Sequence, residues 1–389
     1  MKISPKNILR IEVYLIALIL FLFGTGNIYY GRLFFDEIIY AWTGDRILHG
    51  EVPYKDFFEM KPPVMQYLNA LGIYIFNDYL VGPRITCFLI LLFSQLFIYT
   101  KVREKWDLVP SLILVSLPIN FLYSQLVYIS FNNAETVGFA IFITTIYFAC
   151  QTTQLVKNSI LAGIGASLVF LTKEQLAPVA CIVPLCFLLT EKEIIFKKIK
   201  YFILGAASIF LLFLTQLLIT KSLFNYLNTY LVGIAYSKQY SPAFKYSRDP
   251  TSAIYQKLTN SAYIISTPHC MTFLLLIACF YIIHNNKNLT NSKLIKIFIP
   301  ICFFLSFAPL LIAKSMFNYY YLIFITGIYG SFLALHLTKT SNQKFSIRDL
   351  LCIPTCFVFF INTSIIYDNT GDAITPYNEI KKEEAKFIR

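Results

Sequence analysis

The chain has 389 residues, 57% of them hydrophobic and only 14% charged, with a mean hydropathy of +0.62. Soluble globular chains carry roughly 25% charged and 45–50% apolar residues, so this one lacks the polar surface to cover a water-soluble body, and disordered, collagen-like and disulfide-scaffold classes are excluded with it. The formal net charge of +12 falls mostly between apolar stretches, where Lys and Arg set topology and meet anionic lipid headgroups rather than nucleic acid.

The expected fold is an all-α polytopic membrane protein with about eleven transmembrane helices. They fall near 8–30, 81–101, 107–124, 132–151, 158–172, 175–190, 201–220, 262–284, 295–313, 317–337 and 349–367. Lys2, Lys6 and Arg10 precede the first apolar run. That run is long and lacks a clean small-x-small cleavage site, so it reads as an uncleaved span. The fifth and sixth spans are short and almost contiguous, and they read either as two spans or as one re-entrant hairpin.

Charge orients the set. With the N-terminus in the cytoplasm, the inner loops hold Lys101, Arg103 and Lys105, then Lys157, Lys192, Lys197, Lys198 and Lys200, then Lys287, Lys293 and Lys296, then Lys339, Lys344 and Arg348. The opposite short loops hold Lys173 or Lys314 alone, or no cation at all. The positive-inside rule therefore places the C-terminus outside. Residues 1–367 form the membrane domain, and 31–80 and 221–261 are its long outer loops. The polar tail 368–389 ends as though a helix, or a soluble domain, had just begun. No internal repeat stands out, which weighs against a transporter built from duplicated halves. The nine cysteines form no C-x-x-C, and the four histidines are isolated, so neither marks a zinc site.

The first outer loop opens on Arg32-Leu33-Phe34-Phe35-Asp36-Glu37. A carboxylate among apolar and aromatic residues gains proton affinity, which makes Asp36 a candidate general base. The alternative is that Asp36 caps a helix beginning at Glu37. After Pro53-Tyr54-Lys55-Asp56-Phe57-Phe58-Glu59-Met60-Lys61-Pro62-Pro63, apolar residues at helical spacing predict an interfacial helix over 63–77, too short to span. Lys61 stands just before its positive end, a place that suits a phosphate, or else it snorkels toward headgroups. Farther on, Glu135 lies at the mouth of the fourth span as either a functional acid or a partner of the helix dipole. Lys173 and Gln175 occupy the third outer turn. Lys314-Ser315-Met316-Phe317-Asn318-Tyr319-Tyr320 occupies the fifth, where Tyr319 and Tyr320 also suit an interfacial aromatic belt.

The run from Asp36-Glu37 through His49-Gly50-Glu51-Val52-Pro53-Tyr54 to Lys61-Pro62-Pro63, followed by Arg84 at the second span, resembles the first-loop pattern of GT-C glycosyltransferases of the family 39-like group. That group includes protein O-mannosyltransferases and the aminoarabinose transferases of lipid A. The resemblance implies an enzyme that takes a sugar from a polyprenyl-phosphate carrier and transfers it, with inversion, to a lipid, glycan or protein acceptor. It places that enzyme in a bacterial inner membrane, with the site facing the periplasm.

Residue by residue, Asp36 matches the base and Glu37 the second acid of the pair. Lys61 matches a ligand of the lipid phosphate, with Arg84, Lys173 and Lys314 as further cations toward it. Glu59 falls near an acidic position that shapes the site, although Met60 separates it from Lys61. Glu135 matches an acid on the acceptor or metal side. The family thus allows a divalent cation near Asp36 and Glu135. Tyr319 and Tyr320 fall where a late His-Tyr pair opens a span, with Asn318 at the His place. The competing readings are a non-enzymatic multi-span transporter, which would put charges at mid-span, and an envelope-assembly protein, in which Asp36 and Lys61 would be dispensable.

Overall fold

The computed structural model describes residues 5–30, 35–59, 61–104, 131–189 and 192–229, with Ser111, Leu231 and scattered positions between 298 and 337. Seven helices organise these segments: α1 (Pro5–Tyr30), α2 (Phe35–Leu48), α3 (Val64–Phe76), α4 (Val81–Arg103), α5 (Ala134–Cys150), α6 (Leu155–Thr172) and α7 (Lys192–Ile219). Among the described residues there is no strand, only a single bridge between Pro53 and Phe57. The helices Val81–Arg103 and Leu155–Thr172, and Glu193–Ile219 within α7, are long and apolar enough to cross a membrane. The expected spans at 107–124, 262–284 and 349–367 and the tail 368–389 lie outside the described residues, Ser111 excepted.

Two compact units are present. Among the described residues, the first gathers the chain to Asp45 with Met65–Thr144, and the second gathers Arg46–Val64 with the described residues from Thr145 to Leu337. In the first unit α1 packs antiparallel to α4. Near the start of α1, Glu12 accepts hydrogen bonds from Arg103 Nε (3.0 Å), Arg103 Nη2 (3.2 Å) and the Tyr99 hydroxyl (2.8 Å). Midway along, the Phe21 and Phe88 rings meet at 6.3 Å. The pair is partly exposed, and Tyr99 adds a further hydrogen bond to Glu12.

In the second unit α6 and α7 touch along most of their length. Small residues make that possible. A Cβ on Gly163 would collide with the Phe202 carbonyl, and one on Gly205 with the Ile160 carbonyl. Ser167 adds a 3.3 Å hydrogen bond to the Ala206 carbonyl. Lipid tails are as apolar as the side chains, so close backbone approach of this kind, rather than hydrophobic burial, binds helices inside a membrane. Below the contact, Lys198 is turned inward. Its Nζ donates to the Ala149 carbonyl in the last turn of α5 (2.9 Å) and lies 5.3 Å from the Phe187 ring centroid. A cation suits the negative end of a helix.

Expected and observed elements differ at two places. The segment after α6 is helical over Glu174–Leu189, close to the expected 175–190, but it is not one continuous helix. Lys173 is extended and stops the helix, and Glu174–Leu189 is a string of short helical pieces carrying Pro178 and Pro184, residues that deny the backbone its i→i−4 bonds. α7 begins at Lys192 instead of near 201, because hydropathy marks the part of a helix in lipid and not its polar extension.

Candidate functional site

In the first unit α2 begins at Phe35, so Asp36 and Glu37 both stand in its first turn. Asp36 is therefore not the cap of a helix beginning at Glu37, the alternative the sequence offered. Both acids face the positive end of the helix dipole. Glu37 is fully buried and Arg84 is 1% exposed. The guanidinium grips the carboxylate with two parallel bonds, Nε to Oε1 (2.5 Å) and Nη2 to Oε2 (2.9 Å), and Nη1 donates to the Ile28 carbonyl (3.1 Å). One side chain from the first turn of α4 thus ties the last turns of α1 to the first turn of α2. Arg84 was expected to face phosphate and Glu37 to serve as a second reacting acid. The structure engages each with the other and fixes the turn that carries half-buried Asp36.

Asparagines build the mouth of α5. Asn69 Nδ2 donates to Asn132 Oδ1 (2.9 Å), and Asn132 Nδ2 donates back to Asn69 Oδ1 (2.7 Å). Asn69 also donates to the Met65 carbonyl (2.8 Å). Asn133 then caps the helix by accepting the Glu135 N–H (2.8 Å). Glu135 is 1% exposed in the first helical turn. Sequence reading passed over Asn69 and Asn132. The available signal was an asparagine on the buried stripe of an apolar helix, where only another polar group satisfies it.

The second unit contains the loop that carries Lys61. α2 ends in a Schellman motif, with Gly50 N–H bonded to the Ile47 carbonyl (3.0 Å), Glu51 N–H bonded to the Arg46 carbonyl (3.0 Å) and Gly50 at φ +86°. The Arg46 side chain pairs with Glu51 and stacks 5.6 Å from the Phe57 ring centroid. The Asp56 carboxylate accepts the Val52 N–H (2.8 Å), tightening the Pro53–Phe57 turn. From this base Tyr54 reaches forward, its hydroxyl donating to the Lys61 carbonyl (2.8 Å). Buried Glu59 accepts the Lys61 N–H through Oε1 (2.8 Å), bridging the intervening Met60. The Lys61 ammonium nitrogen is buried, and after Pro62-Pro63 the chain enters α3 at Val64.

Lys173, also in the second unit, is 5% exposed at the junction of α6 and the broken segment. Lys314, Tyr319 and Tyr320 lie outside the described residues. Among the described residues no three His, Cys, Asp or Glu side chains gather as metal ligands.

Residues 60–219 match the family of dolichyl-phosphate-mannose-protein mannosyltransferases. None of the curated proteins matches the chain. The fold is similar to that of the Archaeoglobus fulgidus oligosaccharyltransferase, in its complex with Zn and sulfate and in its apo form. The first comparison gives a TM-score of 0.55 at 14% identity over 92% of this chain and 53% of that one. The second gives 0.54 at 13% over 94% and 56%. The chain thus spans about half the length of those structures. The family match covers less than half of the chain, and the likeness to the oligosaccharyltransferase is one of fold.

Proposed function

We propose that this chain is a GT-C-type membrane glycosyltransferase that moves a sugar from a polyprenyl-phosphate carrier to a lipid, glycan or protein acceptor. It works on the periplasmic face of a bacterial inner membrane, with its N-terminus in the cytoplasm. The observation that carries this reading is the family match over residues 60–219. The match opens one residue before Lys61-Pro62-Pro63 and runs through Arg84, Glu135 and Lys173.

In the reaction, Asp36 accepts a proton from the acceptor hydroxyl or amine as that atom attacks the anomeric carbon. The bond from that carbon to the phosphate oxygen breaks, its electron pair leaves with polyprenyl phosphate, and the configuration inverts. Lys61 meets the charge that grows on the departing phosphate, the electrostatic part of the catalysis, with Lys173 and Lys314 as further cations. Glu37 and Arg84 serve by holding the turn beneath Asp36. Glu135 is assigned to the acceptor or metal side, and Tyr319 and Tyr320 to substrate binding.

The test compares envelope glycans by mass spectrometry from cells with and without the gene. Loss of the gene removes one hexose- or pentose-bearing species, wild type restores it, and Asp36→Asn does not. In proteoliposomes supplied with the matching lipid-linked donor, Asp36→Asn lowers the transfer rate about 10²–10⁴-fold. Full restoration by Asp36→Asn would remove the base assignment, and an unchanged glycan profile in the deletion strain would remove the enzymatic reading.

A further inference from the structure

Tyr54 sits in a backbone state that side chains other than glycine rarely adopt, at φ +67°. A bulky aromatic residue stays there only when its surroundings over-determine it. Two contacts do so. The ring is 3% exposed and packs edge-on against Tyr226 at 4.9 Å and against Phe213 of α7 at 6.4 Å. Phe213 and Tyr226 in turn pack on each other at 5.3 Å. The hydroxyl, directed away from that aromatic seat, donates to the Lys61 carbonyl.

Lys61 is held from its other side as well, because its N–H goes to Glu59. Both backbone polar groups of this lysine are therefore bonded by side chains rather than by a helix or sheet ladder. The proline that follows restricts Lys61 to extended conformations and fixes its own φ. The direction in which the lysine leaves the backbone is thus set before any ligand arrives. A lysine side chain is a long flexible stem, so fixing its root is how a fold aims its charge.

We infer that Tyr54 is a positioning residue for Lys61, anchored on Phe213 and Tyr226 and acting through the Lys61 carbonyl to aim the ammonium at a lipid-borne phosphate. The inference rests on the phosphate-binding reading of Lys61. A buried tyrosine hydroxyl needs an acceptor in any fold, so the test must separate aiming from simple stability.

A double-mutant cycle on the full-length protein in phosphatidylcholine nanodiscs does this, with a polyprenyl monophosphate as the probe and its Kd as the readout. Tyr54→Phe keeps the ring contacts, removes the hydroxyl, and raises Kd about tenfold. In a Lys61→Ala background the same change moves Kd by less than about twofold, because coupled residues are not additive. Equal, additive losses in the two backgrounds, or a wild-type Kd for Tyr54→Phe, overturn the inference. The same cycle with Tyr226→Leu, which unseats the ring and leaves the hydroxyl, covers the case in which Tyr54→Phe yields no folded protein. Here too Kd rises only while Lys61 is present, and a rise independent of Lys61 overturns the inference. If Lys61→Ala alone leaves Kd at the wild-type value, the phosphate role of Lys61 falls, a result distinct from failure of the cycle.

Discussion

Arg84 shows how one side chain joins the ends of three helices. Three of its N–H donors are directed at Glu37 and the Ile28 carbonyl, all within the buried interior of the first unit. Taking away one partner of such a pair strands a charge away from water. Arg84→Ala is therefore expected to cost about 3–5 kcal/mol, read as a fall in the thermal unfolding midpoint in detergent. Arg84→Lys keeps the charge but cannot reproduce the planar two-pronged grip, so it recovers only part of the loss. Combining Arg84→Met with Glu37→Leu restores most of the midpoint, since apolar groups of similar volume often replace a buried ion pair without penalty. A double variant less stable than Arg84→Ala would disprove this account. Both residues are marked in the sequence as candidate site residues. What the sequence cannot show is that they are partners, because they lie 47 positions apart and meet only once α1, α2 and α4 have packed. The sequence gives Tyr54 no role for the same reason, since Phe213 and Tyr226 reach it only through tertiary structure.

At the scale of the helix, α6 and α7 are matched by what they leave out. Gly163→Ala places a methyl group against the Phe202 carbonyl, which belongs to rigid helical backbone. Overpacking of this kind costs about 1–3 kcal/mol, and Gly163→Val costs more. Ser167→Ala removes one interhelical hydrogen bond and costs only about 0.6 kcal/mol. Thermal unfolding of the three variants in one detergent is expected to rank them Ser167→Ala, Gly163→Ala, Gly163→Val in order of increasing loss, and a Gly163→Ala midpoint equal to wild type would refute the contact. Helices of this type were largely legible in advance. The apolar pattern over 63–77 became Val64–Phe76, and that over 81–101 became Val81–Arg103. Patterning failed where backbone chemistry overrides it, at Pro178 and Pro184, and where a helix outruns the lipid, as α7 does through Lys197, Lys198 and Lys200.

Over the whole molecule, the apolar surface reports its solvent. Leu211, Leu212 and Ile219 on α7 are 58%, 67% and 77% exposed, a state that suits acyl chains and not water. The proposed orientation rests on the uneven placing of lysine and arginine. In a cysteine-free background, a cysteine at Lys55 is expected to react with a membrane-impermeant maleimide on intact cells, and one at Lys101 only after lysis. The reverse pattern would invert the orientation. Both side chains are open enough to report, since Lys55 is exposed and Lys101 half-exposed.

Biogenesis inherits a constraint from the two arginines of α4. Glu12 finds Arg103 only 91 residues later in the chain, and Glu37 finds Arg84 after 47. A ribosome thus delivers both acids before it has made either counter-ion. Until α4 emerges, Glu12 and Glu37 lack the cations that neutralise them in the folded unit, and an acid held in lipid without such a partner is costly.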